Sequence, residues 1–206
     1  MPDSKAPEPI PGTPLETHPL EPFFPENAWL LMCGTFPPSR KRWSMDFYYP
    51  NFINDMWRVF GIVYFDDREA LVDRENKTFR LDKIKSLLIG KGIALSDTGR
   101  EIVRTKGNAA DKDLDIRGTI DLADVLARLP RLRAVATTGE KAAGVIAAIT
   151  GTEPPAMGCF TECRLTDGNG CERVFRHWRM PSTSRAYPLP LDQKARFYSR
   201  LLKGGE

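Results

Sequence analysis

The chain has few of the residues that metal, disulfide or membrane chemistry would require. Four cysteines occur in 206 residues and none form a Cys-x-x-Cys pair, which argues against a disulfide scaffold. Cys159, Cys163 and Cys171 are separated by three and seven residues, with Cys33 far away, a spacing that matches no metal or cluster pattern, so no metal site is expected. No apolar run reaches the ~18 residues of a membrane span. The N-terminus lacks a basic stretch followed by an apolar one, so no secretory leader is read and a cytoplasmic location is expected. Only two histidines are present. His18 lies in a Pro-rich approach and His177 in an expected strand, so a catalytic histidine pair is not expected.

What is abundant is unevenly placed. Eight of the seventeen prolines fall within the first 25 residues, and such a segment forms neither a regular helix nor a central strand. Residues 1–16 are therefore expected to be a loose tail, dispensable for folding and affinity, and residues 17–206 a single domain. The first 28 residues carry five acids and one base, so a chain of formal charge +3 leaves +7 on residues 29–206. From Cys171 onward there are eight bases against three acids, a clustering that suits a polyanion, with a solvated face as the alternative.

From Trp29 the pattern alternates between strands and helices. The apolar run Trp29 to Cys33 reads as a buried strand stopped by Gly34 and Pro37-Pro38. Helices are expected over Phe52–Phe60 and Leu81–Ile89, the second closed by a glycine cap, followed by a short strand ending at Asp97. Arg100–Arg117 is polar and takes no assignment. Asp121–Leu129 has helical spacing. Leu132–Thr137 and Ala142–Ile149 form a strand-turn-helix unit, Phe160–Thr166 and Glu172–Met180 flank the turn residues Asp167-Gly168-Asn169-Gly170, and Leu191–Leu202 closes as a helix. Alternation of this kind implies a mostly parallel sheet covered on both faces. Ligands then bind beyond the carboxyl ends of the strands, which directs attention to the loops after Cys33, Asp97, Thr137 and Met180.

The first of these loops, Gly34-Thr35-Phe36-Pro37-Pro38-Ser39, precedes Arg40-Lys41-Arg42 and the aromatics Trp43, Phe47, Tyr48 and Tyr49. It offers close backbone approach, rigid walls and stacking faces; a buried aromatic cluster is the alternative. The last, Pro181-Ser182-Thr183-Ser184-Arg185-Ala186-Tyr187, could hold phosphate through hydroxyls, an arginine and backbone amides, or could simply be a turn that caps the final helix.

Together Gly-Thr-Phe-Pro-Pro, Thr137-Thr138-Gly139-Glu140-Lys141-Ala142 and Pro-Ser-Thr-Ser resemble motifs of the uracil-DNA glycosylase superfamily, closest to its mismatch-specific and hypoxanthine-DNA glycosylase branches. Tyr49-Pro50-Asn51-Phe52-Ile53-Asn54-Asp55-Met56-Trp57 is similar to the segment that follows the first loop in those branches. The resemblance covers roughly residues 17–202. It implies a three-layer α/β/α sandwich and a monofunctional enzyme that flips a deaminated base, uracil or hypoxanthine, out of DNA and hydrolyses its N-glycosidic bond, the first step of base excision repair. It implies no cofactor, and a protein acting as a monomer on damaged or mismatched DNA.

On this resemblance Gly34, Thr35, Phe36, Pro37, Tyr48, Tyr49 and Phe52 would receive the base. Pro181, Ser182, Thr183, Ser184, Arg185, Tyr187 and Lys141 would hold DNA, with Ser182, Thr183, Ser184, Arg185 and Tyr187 as the wedge that enters the vacated space or as a phosphate clamp. Two positions depart from the usual polar pattern: Phe36 stands where the mismatch-specific branch has a water-positioning asparagine, a phenylalanine that the hypoxanthine branch shares, and Met180 stands where several branches have a histidine. The polar catalyst must then come from elsewhere, with Asn51, Asn54 and Asp97 as candidates, and Asn108 and Asp111 behind them. Asn54 could instead cap the helix it begins. Two rival expectations are a nucleic-acid-binding module of the same fold without turnover, and a small-nucleotide hydrolase or transferase using Ser182 or Ser184. The absence of a Gly-x4-Gly-Lys-Ser/Thr loop weighs against a nucleoside-triphosphate version of the latter.

Overall fold

The computed structural model describes residues 14–105 and 113–204, which places Asn108, Asp111 and most of the expected tail outside the described residues. In chain order the elements are β1 (Leu15–Thr17), β2 (Leu30–Gly34), a 3-10 turn (Arg40–Arg42), α1 (Met56–Phe65), β3 (Val72–Asp73), β4 (Thr78–Phe79), α2 (Leu81–Lys91), β5 (Ile93–Asp97), β6 (Gly99–Arg104), β7 (Leu114–Thr119), α3 (Leu122–Arg128), β8 (Ala134–Thr138), α4 (Glu140–Thr150), β9 (Phe160–Thr166), β10 (Glu172–Met180) and α5 (Leu191–Lys203).

The central sheet has the order β5-β2-β8-β10-β9. Its first four strands run parallel and β9 pairs antiparallel with β10. Strand side chains alternate between faces, so the wholly buried β2 contributes to two cores. Leu30 and Met32 join Trp57 and Phe60 of α1, Leu88 of α2 and Tyr198 of α5. Leu31 and Cys33 join Leu122 and Leu126 of α3 and Ile146 of α4. Each fully buried Leu or Phe contributes about 1.5–3 kcal/mol, and both faces are apolar because both are covered.

The path leaves β2 toward β5 on one side and later continues through β8 on the other. This change of direction opens a crevice at the carboxyl ends of β2 and β8. Among the described residues no helix is long and apolar enough to cross a membrane, and no group of three or more His, Cys, Asp or Glu gathers to hold a metal.

Three local expectations change. The helix expected from Phe52 starts at Met56, because asparagine side chains turn the chain before it: Ile53 N–H donates to Asn51 Oδ1 (3.2 Å) and Met56 N–H to Asn54 Oδ1 (2.9 Å). Such local side-chain acceptors compete with helix formation. The unassigned stretch after Gly99 supplies β6 and β7, which pair antiparallel in a second small sheet with β1. Leu15 and Glu16, expected in the tail, therefore belong to the fold. Leu15 pairs with Val103, and Glu16 Oε1 accepts from Arg104 Nε at 2.9 Å while Arg104 Nη2 donates to the Pro37 carbonyl at 2.7 Å. Loss of residues 1–16 would remove this brace behind the first loop.

The glycine cap on α2 does form. Gly92 has φ +62°, and a Cβ there would lie 2.7 Å from the Asn27 carbonyl oxygen.

Candidate functional site

The four strand-end loops meet in one cleft of about 340 Å³, whose wall includes Gly34, Phe36, Tyr49, Asp97, Thr138 and Arg185. Thr35, Pro37, Asn51, Asn54, Ser182, Thr183 and Ser184 also line it. Residues more than 140 positions apart thus share a wall because parallel strands place their carboxyl ends side by side.

Asp97 ends β5 beside Gly34, with which it pairs in register. A Cβ on Gly34 would sit 2.6 Å from Asp97 Oδ1, so only glycine lets the carboxylate occupy this position. Asp97 Oδ2 lies 2.9 Å from His18 Nε2. His18, set aside in the sequence, is buried, with its ring edge-on to Phe36 at 5.1 Å. Its Nδ1 lies 3.2 Å from the Leu20 amide and 2.9 Å from the Leu20 carbonyl. With Nδ1 accepting from the amide, Nε2–H donates to Asp97; with both nitrogens protonated, imidazolium donates to the Leu20 carbonyl and to Asp97. Either state fixes Oδ2 and leaves Oδ1 without a protein donor among the described residues. The negative charge on Asp97 is felt nearby. Burial first, and Asp97 second, push the Cys33 thiol and the Tyr49 phenol well above their ordinary values. Tyr49 therefore stays neutral, and its hydroxyl lies 3.3 Å from Thr138 Oγ1.

The two asparagines line the cleft, but their acceptor oxygens are already used by the Ile53 and Met56 amides. Tyr48 is not available for stacking: it is 2% exposed, and its hydroxyl donates to the Glu21 carbonyl. Phe52 packs on Phe79 at 5.6 Å and lines a neighbouring hollow instead of the cleft. Lys141 donates to the Leu114 carbonyl and lies off the cleft. Tyr187 donates to Met157 Sδ. In the last loop Pro181 and Thr183 are buried whereas Ser184 and Arg185 are exposed.

That loop is tied down by an ion pair with no signature in local sequence. Lys194 of α5, 1% exposed, donates to Asp55 Oδ2 and to the Ser184 carbonyl, each at 2.9 Å, and the Asp55 amide donates to the Thr183 carbonyl at 2.9 Å. One further residue escaped the sequence reading. Ile53 stands 56% exposed at the cleft, an apolar side chain where most such residues are buried. His177 behaves as a sheet residue: Thr137 Oγ1 donates to the Trp178 carbonyl and so accepts from His177 Nε2, and burial pushes the imidazole down to about 4.

The C-terminal bases do not form one surface. Arg173 donates to the carbonyls of Leu126, Leu129, Pro130 and Leu132, where a cation offsets the end of α3. Lys194 is buried, Arg176 lies over Phe160 at 4.7 Å, and Arg179 pairs with Glu140 at 3.6 Å. Of the eight, only Arg185 lines the cleft.

No family model and no curated protein matches the chain. Among solved structures it is similar to a solution NMR structure titled as a "putative Uracil DNA glycosylase" from Methanosarcina acetivorans. That match has a TM-score of 0.57 at 19% identity and covers 92% of this chain and 99% of the other. The chain shares that mixed α/β fold.

Proposed function

We propose that the protein is a monofunctional DNA glycosylase that removes a deaminated base, uracil or hypoxanthine, with Asp97 as the group that orients and deprotonates the attacking water. The observation that carries this assignment is the Asp97 carboxylate itself, held through Oδ2 by His18, with Oδ1 open to the cleft against a glycine. The family-like loops, the likeness of fold and a two-sided helical cover of the sheet, as in a three-layer α/β/α sandwich, all support it.

A flipped base would enter between Phe36 and the Tyr49 and Thr138 hydroxyls. As the bond from C1′ to the base nitrogen breaks, its electron pair leaves with the base. Water adds its oxygen to C1′ and gives a proton to Asp97, and the neutral Tyr49 and Thr138 hydroxyls can donate to the departing, electron-rich base. Ile53 is the apolar side chain placed to fill the gap left in the duplex. His18 is a positioning residue, since it acts through Asp97.

The test is a labelled duplex with one G:U or I:T pair, incubated with protein and then alkali. Strand breakage is expected, and Asp97→Asn should slow single-turnover excision by about 10²–10⁴-fold with duplex affinity retained. An unchanged rate in Asp97→Asn removes that residue from the mechanism. Absence of excision from uracil, hypoxanthine and xanthine duplexes at stoichiometric protein overturns the enzyme assignment; salt-dependent binding without turnover would then identify a nucleic-acid-binding module, which Phe36 and the buried Met180 at the two departing positions would suit.

A further inference from the structure

Next to the cleft lies a second hollow of about 340 Å³, lined by Phe52, Arg58, Arg68, Glu69, Arg74, Lys77 and Arg185. Five cations and one carboxylate give it a formal charge of +4. The cations arrive from three separate parts of the chain: Arg58 from α1, Arg68, Arg74 and Lys77 from the β3–β4 hairpin region, and Arg185 from the last loop. Convergence of like charge from distant segments costs stability, and one carboxylate against five cations offsets only part of it.

Glu69 is occupied by Arg74, which donates through Nε at 2.9 Å and Nη2 at 2.7 Å, with Arg68 at 3.5 Å. The neighbouring acids Asp67 and Asp73 accept backbone amides of Glu69 and Asn76 in tight turns and do not line the hollow. Arg58 spends Nη1 on the carbonyls of Phe52 and Asn54, at 2.8 and 3.0 Å, leaving Nε and Nη2 without a protein acceptor among the described residues. Burial lowers its guanidinium from the ordinary value, and Arg68 and Arg185 add to the lowering while Glu69 and Asp55 oppose it.

The wall between the hollow and the cleft is the turn from Phe52 to Asn54, held from behind by Arg58, and Arg185 lines both sides. We infer that this hollow is a phosphate subsite that seats a backbone phosphodiester of the DNA strand whose base occupies the adjacent cleft. Guanidinium groups suit it because their planar forks pair bidentately with phosphate oxygens. The inference rests on the DNA assignment above for its partner, and on the charge and lining of the hollow for its chemistry.

Two measurements separate these. Side-chain NMR of labelled arginine in the full chain, titrated with inorganic phosphate, reads the anion site whether or not DNA is cleaved. Saturable shifts in Arg58 and Arg185 Nε are expected, and their absence overturns the subsite. Glu69→Gln frees Arg74 and Arg68 from their internal acceptor and should tighten phosphate binding, whereas a purely structural cluster would show no gain.

The second measurement is anisotropy of uracil-bearing duplex over a salt series. The exposed pair Arg68→Gln, Lys77→Asn should weaken binding about tenfold and make the slope of log affinity on log salt shallower by about 0.9 for each phosphate that is no longer neutralised. Placing a neutral methylphosphonate at successive linkages beside the uracil should weaken wild-type binding at one position and leave the double variant unaffected there. If phosphate shifts the arginines but no linkage position is sensitive, the hollow takes free phosphate and the backbone assignment falls. If a linkage is sensitive while no base is excised, the subsite stands and the glycosylase assignment falls.

Discussion

The two ends of the central sheet each carry a hollow lined by arginines. At the amino ends of β2 and β8, beneath the end of α5, a space of about 450 Å³ is lined by Trp29, Arg133, Glu162, Arg176, Trp178 and Arg200. It exceeds the cleft at the carboxyl ends, yet its arginines are exposed and no buried carboxylate lines it. The smaller cleft has a buried carboxylate held by a buried histidine, a glycine whose missing Cβ admits it, and a loop fixed by a buried ion pair. Volume and basic charge occur at both ends. Buried polar groups held by partners from distant segments occur at the carboxyl end, and their desolvation is a cost that a merely structural surface need not carry.

The strongest way to break this contrast is to cut the brace under the last loop. Lys194→Met leaves Asp55 buried and unpaired, and should destabilise the protein by about 3–5 kcal/mol, read from denaturant midpoints. The double change Asp55→Leu, Lys194→Met should recover most of that stability but leave Ser184 and Arg185 poorly placed, so that duplex affinity stays weakened. Full recovery of affinity would mean that the ion pair serves stability alone.

A somewhat smaller effect is expected between the two ends, at His177. Its folded value of about 4 lies below the ordinary value of 6.5, so from pH 6.5 down to 4 the unfolded chain binds a proton that the folded one refuses. Stability should therefore fall as pH drops through that window, by roughly 3 kcal/mol in total, and level off below it. Substitution by Gln should remove this component from the pH dependence of chemical denaturation; an unchanged profile would show that His177 does not carry it.

The smallest effect is expected at the amino end. The double change Arg176→Gln, Arg200→Gln should alter duplex affinity by less than about twofold at moderate salt, because charges beyond a Debye length of ~10 Å from a ligand are screened. Weakening comparable to that of Arg68→Gln, Lys77→Asn would erase the distinction between the two ends.

Much of this organisation was legible in the residues. The alternation of apolar runs with helical spacing gave the order of the main strands and helices, and β9 and β10 occupy the expected ranges. Gly34 and the loops after Asp97, Thr137 and Met180 share one cleft because parallel strands end together. Short strands such as β1, β6 and β7 were not legible, since they are polar on one side, and β1 is held only by pairing with β6 across more than 80 residues. The local asparagine turns displaced the start of α1, and Tyr48 and Phe52 turned inward because burying aromatic surface is favoured over exposing it.

The sequence by itself determined the class of sheet, the strand-end loops and the presence of glycine where a carboxylate approaches, for these follow from periodicity and backbone freedom within a few residues. Tertiary structure alone decided which polar groups act together. His18 meets Asp97 across 79 positions and Lys194 meets Asp55 across 139, and arginines from three segments face one hollow. A charge interacts through space with whatever the fold brings near it, and no spacing along the chain records that distance.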